Sequence, residues 1–143
     1  MKEILKYSGC FVCGDKNENG LQAKFYYDGK EAFTEIEASE NHEGYQEIYH
    51  GGIVSTVLDE VMVKAILANE IYAVTAEMTV RFHKPVKTGD KLFFRGRVVK
   101  NKGRVYFTEG EVKRANGDIL ATATGKYIEA GDELKNQLMK SIE

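Results

Sequence analysis

Tryptophan is missing from this 143-residue chain, proline occurs once and cysteine twice. A single proline excludes polyproline segments and proline-rich linkers. Two cysteines exclude a disulfide-stapled scaffold. No apolar run approaches the roughly 20 residues of a membrane-spanning helix. The opening stretch Met1-Lys2-Glu3-Ile4-Leu5-Lys6 has no apolar signal core, so the cytoplasm is the expected compartment and no membrane partner is expected. Neither sign of charge is in excess: 20 Lys and Arg against 22 Asp and Glu leave a net charge of -2, which gives no bulk footprint for nucleic acid. Also absent are G-x-G-x-x-G, G-x-S-x-G and H-E-x-x-H, and with them the nucleotide loop, the nucleophile elbow and the zincin helix.

What is present is the balance of a globular protein, 43% apolar and 29% charged, long enough for one domain with its own core over 1–143. Residues 1–20 read as an arm followed by a turn-rich loop that holds Cys10 and Cys13. Strands are expected at about 21–28 and 31–38, joined by Asp28-Gly29. Four more follow at about 71–83, 91–100, 104–115 and 118–129, separated by Lys84-Pro85, Gly89-Asp90, Asn101-Lys102-Gly103 and Asn116-Gly117. Between the two groups a helix is expected over about 52–68, its buried stripe formed by Val54, Val57, Leu58, Val61, Ala65 and Ala68 and widened by Met62 and Ile66. Glu60 and Lys64 share the far side of that helix at ion-pair spacing, while Asp59 lies on the flank of Ser55, Val63 and Ile66. A short amphipathic helix closes the chain within the tail 131–143. Such an apolar helix needs cover on most sides, and short connections favour an antiparallel sheet curled around it, an α+β fold. Open sheet edges then favour edge-to-edge dimerisation.

Chemistry concentrates at His50-Gly51-Gly52, with Asp59 seven residues beyond Gly52. Glycines let the backbone approach a ligand, and unpaired N–H groups at a helix start hold developing negative charge. A carboxylate two turns down can act on a water or a carbonyl carbon. From the residues alone, Gly51-Gly52 is also a tight turn and Asp59 a flank acid bonded to Ser55 or solvent. Cys10 and Cys13 supply half of a closed zinc site. The histidines His42, His50 and His83 form no local metal pattern, so packing of the loop by Phe11 and the cysteines is expected, with no metal.

The pattern H-G-G-x-x-x-x-x-x-D, seated between two strands and four, resembles the hot-dog-fold acyl-CoA thioesterases, in particular their PaaI-like and 4-hydroxybenzoyl-CoA thioesterase-like branches. Cys10-Phe-Val-Cys-Gly followed by Gly20-Leu21 resembles the opening of PaaI-like proteins. The resemblance covers about 10–129 and implies a hot-dog fold, a six-stranded antiparallel sheet wrapped around a long central helix. It implies hydrolysis of an acyl-CoA thioester to a free acid and coenzyme A, with no cofactor beyond the coenzyme A of the substrate. On it, Asp59 is the general base or nucleophile, the Gly51 N–H polarises the thioester carbonyl, His50 positions the turn and Thr75 orients the attacking water. Gln46 stands in for an Asn or Gln that related enzymes carry before H-G-G, and Gly44 occupies one subgroup's Asn position. Gly52, Met62, Val63 and Ile66 would line the substrate, with Arg81 and Lys84 at the coenzyme A phosphates, as well as Lys87 and Arg114 by charge. Glu60 remains an ordinary helix-surface acid. The resemblance further implies a homodimer with shared active sites, paired in some relatives into a homotetramer. A non-hydrolytic acyl-CoA binding protein and a hydratase or dehydratase are the alternative functions on the same fold.

Overall fold

In the computed structural model, which describes residues 1–142, one long helix, α1 (Gly51–Leu67), lies against an antiparallel sheet of seven strands. The strands are β1 (Lys2–Glu3), β2 (Tyr26–Tyr27), β3 (Ala32–Glu37), β4 (Ala73–Phe82), β5 (Lys91–Lys102), β6 (Val105–Arg114) and β7 (Ile119–Glu129). Their spatial order is β1-β2-β3-β5-β6-β7-β4, and a short helix, α2 (Asp132–Met139), follows the last strand. This is the hot-dog arrangement of an α+β fold.

The expected strand at 21–28 shrinks to Tyr26–Tyr27 for a local reason. Gln22 adopts a left-handed φ of 51°, which breaks an extended run. The N–H groups of Leu21 and Ala23 instead pair with the carbonyls of Phe11 and Val12 in the cysteine loop. The arm fills the vacated edge: Lys2 and Glu3 pair with Tyr27 and Tyr26, so the sheet has seven strands rather than six.

Alternation along β5, β6 and β7 turns Leu92, Phe94, Val112, Ala121, Ala123 and Tyr127 toward α1, all buried. A row of small residues crosses the sheet under the helix, Gly96 opposite Gly110 and Gly110 opposite Ala123. A Cβ at Gly96 would stand 2.7 Å from the Val61 carbonyl oxygen, so glycine here sets how closely the sheet meets the helix backbone. Val54, Val57, Leu58, Val61, Met62 and Ile66 are each at most 1% exposed, and such side chains contribute about 1.5–3 kcal/mol apiece when fully buried.

Two helix positions differ from the sequence reading. Ala68 is only half-buried, whereas Lys64 is 1% exposed. The arm explains the second: it closes over the side of α1 expected to face solvent, and Lys64 Nζ donates to the Leu5 carbonyl beneath it. Phe11 differs too, at 40% exposed; Val12 and Cys13 are the loop residues that enter the core. At the opposite side of the sheet β4 is an edge strand, paired with β7 alone and exposed along much of its length.

Candidate active site

The start of α1 is built by His50. Its backbone is extended, with φ -63° and ψ 125°, and its ring Nδ1 accepts the Gly52 N–H at 2.8 Å. The ring therefore caps the helix, and a neutral His50 in this role carries its proton on Nε2. A Cβ on Gly52 would meet that ring at 2.9 Å. The cap consumes the Gly52 N–H, which removes it as a donor to a ligand. The Gly51 N–H has no partner among the described residues. It is the first N–H of a 17-residue helix and lies at the positive end of the helix dipole. Beside it opens a trough of about 460 Å³ walled by Tyr45, Ile48, Val54, Phe82, Pro85 and Val86. Gly44 turns under His50, where a Cβ would stand 3.3 Å from the His50 Cα. That contact is tight, so a side chain at this position would require His50 to give by a few tenths of an ångström.

Two turns along α1, Asp59 is held from two strands. Tyr127 on β7 donates its hydroxyl hydrogen to Asp59 Oδ1 at 2.8 Å and also lies 3.1 Å from the Asp59 carbonyl oxygen. Thr75 on β4 donates to the same Oδ1 at 2.9 Å. Asp59 Oδ2 accepts no hydrogen bond among the described residues. One carboxylate oxygen is thus fixed and the other keeps its lone pairs for a reactant. Burial, then the neighbouring Asp59 carboxylate, pushes the Tyr127 hydroxyl well above the usual tyrosine range, so it stays a donor. Between Thr75 and Glu77 the β4–β7 register slips by a bulge, which re-aims the strand beside Asp59.

The structure joins Thr75 to Asp59 and His50 to the Gly51-Gly52 turn, but it does not join these two groups within one chain. Eight residues of helix separate Gly51 from Asp59, about 12 Å along the axis at about 1.5 Å per residue. Gln46 is exposed on the preceding loop and takes no side-chain hydrogen bond among the described residues. Of the expected substrate-lining residues, Met62 and Ile66 lie in the core at 0% and 1% exposure, packed between helix and sheet. Val63 does border a cavity, of about 520 Å³, together with Leu67, Ile71 and Ala73. Lys84 lies at the rim of the Gly51 trough and pairs with Asp118 at 3.4 Å. Arg114 is engaged by Asp90 and Asp118, and Lys87 is exposed. Arg81 points from β4 to the sheet face opposite α1, since its neighbours Val80 and Phe82 pair with the inward Ala123 and Ala121.

Glu60 is not the surface acid that helical spacing suggests. It faces the arm beside Cys10 and the buried Lys64, and burial pushes its carboxyl up to about 7, with the Cys10 charge adding to the effect. Tyr127 is the site residue that sequence reasoning missed. Its only signal was an inward position on the last strand, 68 residues from its partner.

Comparison with known proteins follows this geometry. Human acyl-coenzyme A thioesterase 13 is 28% identical over 104 residues, 71% of this chain and 69% of the relative. The crystal structure of a thioesterase superfamily protein, RHA08564, superposes with a TM-score of 0.80 at 20% identity, over 85% of this chain and 61% of that one. The Escherichia coli PaaI protein of the phenylacetic acid degradation operon superposes with a TM-score of 0.73 at 20% identity, over 78% and 81% of the two chains. Both superpositions support the fold. A family model described as the thioesterase superfamily matches residues 46–121, from the loop before His50 through α1 to β7, and the chain belongs to the thioesterase superfamily.

Proposed function

We propose that this thioesterase-superfamily chain hydrolyses an acyl-CoA thioester to a carboxylic acid and coenzyme A, with Asp59 as general base or nucleophile and the Gly51 N–H as carbonyl donor. The observation that carries the reading is the Asp59 carboxylate, one oxygen fixed by Tyr127 and Thr75 and the other open. The name of the human relative supports the acyl-CoA class.

The chemistry asks little machinery. Attack on the thioester carbon moves negative charge onto the carbonyl oxygen, where the free Gly51 N–H and the helix dipole stabilise it. Asp59 either takes a proton from the attacking water or adds to the carbonyl carbon itself, forming an anhydride that water then opens. In either route the carbon–sulfur bond breaks and coenzyme A leaves as a thiol or thiolate. Thr75 fixes the carboxylate plane, and His50 holds the turn that presents Gly51. Val63 is the lining residue kept for the acyl group, and Lys84 the basic residue kept for coenzyme A.

The site is completed by a second copy of the chain. Donor and carboxylate must reach one thioester, and about 12 Å of helix keeps them apart in a single chain. The open β4 edge carries Thr75 and suits antiparallel pairing with the same edge of a partner. Such a dimer brings Asp59 of one protomer toward Gly51 of its partner and builds two equivalent sites; pairing of dimers into a tetramer is the further step. A cytoplasmic setting fits two unpaired cysteines.

The test is release of coenzyme A thiol from a panel of acyl-CoAs by the wild type and Asp59→Asn. Turnover by the wild type and a large loss in the variant are expected. An unimpaired variant, or acyl-CoA bound tightly and left intact by the wild type, would overturn the reading.

A further inference from the structure

The cysteine loop and the arm carry none of the proposed catalytic groups, although Cys10 and Glu60 line the same cavity as Val63, and they build the most concentrated cluster of ligating atoms in the described chain. The Cys10 and Cys13 thiols and the Glu60 carboxylate place one ligand atom each within 4.8 Å of one another, with Cys10 Sγ 3.8 Å from Glu60 Oε2. Bond lengths at zinc of about 2.3 Å for sulfur and 2.0–2.2 Å for a carboxylate oxygen put neighbouring tetrahedral ligands about 3.5–3.8 Å apart. The cluster is therefore close to that spacing before any ion binds.

The turn that carries the cysteines is shaped for it. Cys10 Sγ accepts the N–H groups of Val12 at 3.3 Å and Cys13 at 3.5 Å, an arrangement that spreads the charge of a thiolate ligand over backbone dipoles. The Gly14 N–H closes the turn on the Cys10 carbonyl at 2.9 Å. A Cβ at Gly14 would lie 2.3 Å from the Ser8 carbonyl oxygen, so the turn demands the glycine of Cys-x-x-Cys-Gly. Backbone pairing of Phe11 and Val12 with Leu21 and Ala23 pins this turn in front of α1. Lys64, 1% exposed and 3.8 Å from Glu60 Oε2, supplies the remaining charge. Two thiolates and a carboxylate against a divalent ion and an ammonium are neutral together, as a buried site requires.

We propose that Cys10, Cys13 and Glu60 bind one Zn²⁺ that clamps the N-terminal arm to α1. Binding requires both thiols and the Glu60 carboxyl in their deprotonated forms, and the protons they hold pass to solvent. The fourth position faces the cavity between Tyr7, Ser8 and Leu138 and takes a water. Sulfur and carboxylate ligands in a tetrahedral array suit Zn²⁺, and Co²⁺ as its spectroscopic substitute. The histidines contribute nothing here: His50 caps α1, and His42 and His83 lie outside the cluster. The clamp is structural and independent of Asp59, whose side chain leaves α1 toward β4 and β7.

The experiment uses the full chain, purified without chelator from zinc-supplemented cells, then stripped and titrated with Co²⁺. About one zinc per chain is expected, followed by a sulfur-to-cobalt charge-transfer band that saturates at about one equivalent. The band should vanish in Cys10→Ser/Cys13→Ser. In Glu60→Gln it should persist, with zinc affinity weakened at least about 10-fold. Unaltered affinity in that variant would overturn the assignment of Glu60. A readout that needs no variant is alkylation of the folded wild type: zinc should protect both thiols. Equal alkylation with and without zinc, or no charge-transfer band in the reduced and stripped wild type, would overturn the site.

Discussion

Tyr127 places its hydroxyl 2.8 Å from Asp59 Oδ1, reaching from the last strand of the sheet to the middle of α1. The tyrosine is fully buried and Asp59 half-buried, so the donor side of this hydrogen bond is shielded from water. Thr75 adds a second donor to the same oxygen from an exposed strand. The two together fix one oxygen of Asp59 and leave the other without a partner among the described residues.

Removing the buried donor should therefore harm catalysis more than folding. A hydrogen bond to a charged group is worth about 1.5–3 kcal/mol, so Tyr127→Phe should lower kcat/KM by roughly 10–100-fold. Steady-state kinetics check this, with a denaturation curve to confirm that the variant remains folded.

Thr75 separates orientation from bulk. Thr75→Val keeps the shape and loses the hydroxyl, and should reduce kcat by about 10-fold, the effect of about 1.4 kcal/mol. Thr75→Ser should restore most of that loss, because serine keeps the donor. Equal activity of the serine and valine variants would show that the hydroxyl does not matter.

Gly51 allows the proposed carbonyl donor to be deleted at small structural cost. It is the first residue of α1, where proline is well tolerated, and His50 before it already holds the extended backbone that proline prefers. The nearest atom to an added Cβ is a Phe82 ring carbon at 3.5 Å, an ordinary contact. Gly51→Pro lacks the N–H and should lose about 10²–10³ in kcat with little change in KM. Kinetics alongside far-ultraviolet circular dichroism make the comparison.

The helix was legible in the sequence because its apolar period is long and His50-Gly51-Gly52 marks its start. Strands β4 to β7 were legible from their turns, as at Asn101-Lys102-Gly103 and Asn116-Gly117. Local signals could not reveal what distant segments do to one another. Lys64 reads as a solvated partner of Glu60 until the arm, 59 residues away, covers it and supplies the Leu5 carbonyl. Periodicity likewise put Met62 on the widened stripe, and only the glycine row of β5 and β6 shows that this side chain fills the space above the sheet. At the candidate site, the turn and Asp59 were singled out by the H-G-G resemblance rather than by spacing alone, while Tyr127 was hidden in an ordinary alternating strand.

Lys64 offers a stability test of that buried flank. It pairs with Glu60, donates to Leu5, and sits 5.6 and 5.7 Å from the Tyr7 and Phe25 rings. Lys64→Met removes the cation beside Glu60, whose carboxyl then takes up a proton, and should cost roughly 1–3 kcal/mol in chelator-treated protein. Adding Glu60→Gln should recover part of the loss, as coupled neighbours do in a double-mutant cycle. Urea denaturation of the four proteins measures it.

The central claim, that one thioester is served by Asp59 of one subunit and Gly51 of the other, is tested most directly by hybrid dimers. Asp59→Asn and Gly51→Pro proteins are unfolded together, refolded at equal concentration and assayed against each parent. In a two-fold dimer with shared sites, half of the random dimers are mixed and each has one intact site, so about a quarter of wild-type activity should return. Activity no higher than the average of the two inactive parents, in a mixture shown to contain mixed dimers, would contradict the account.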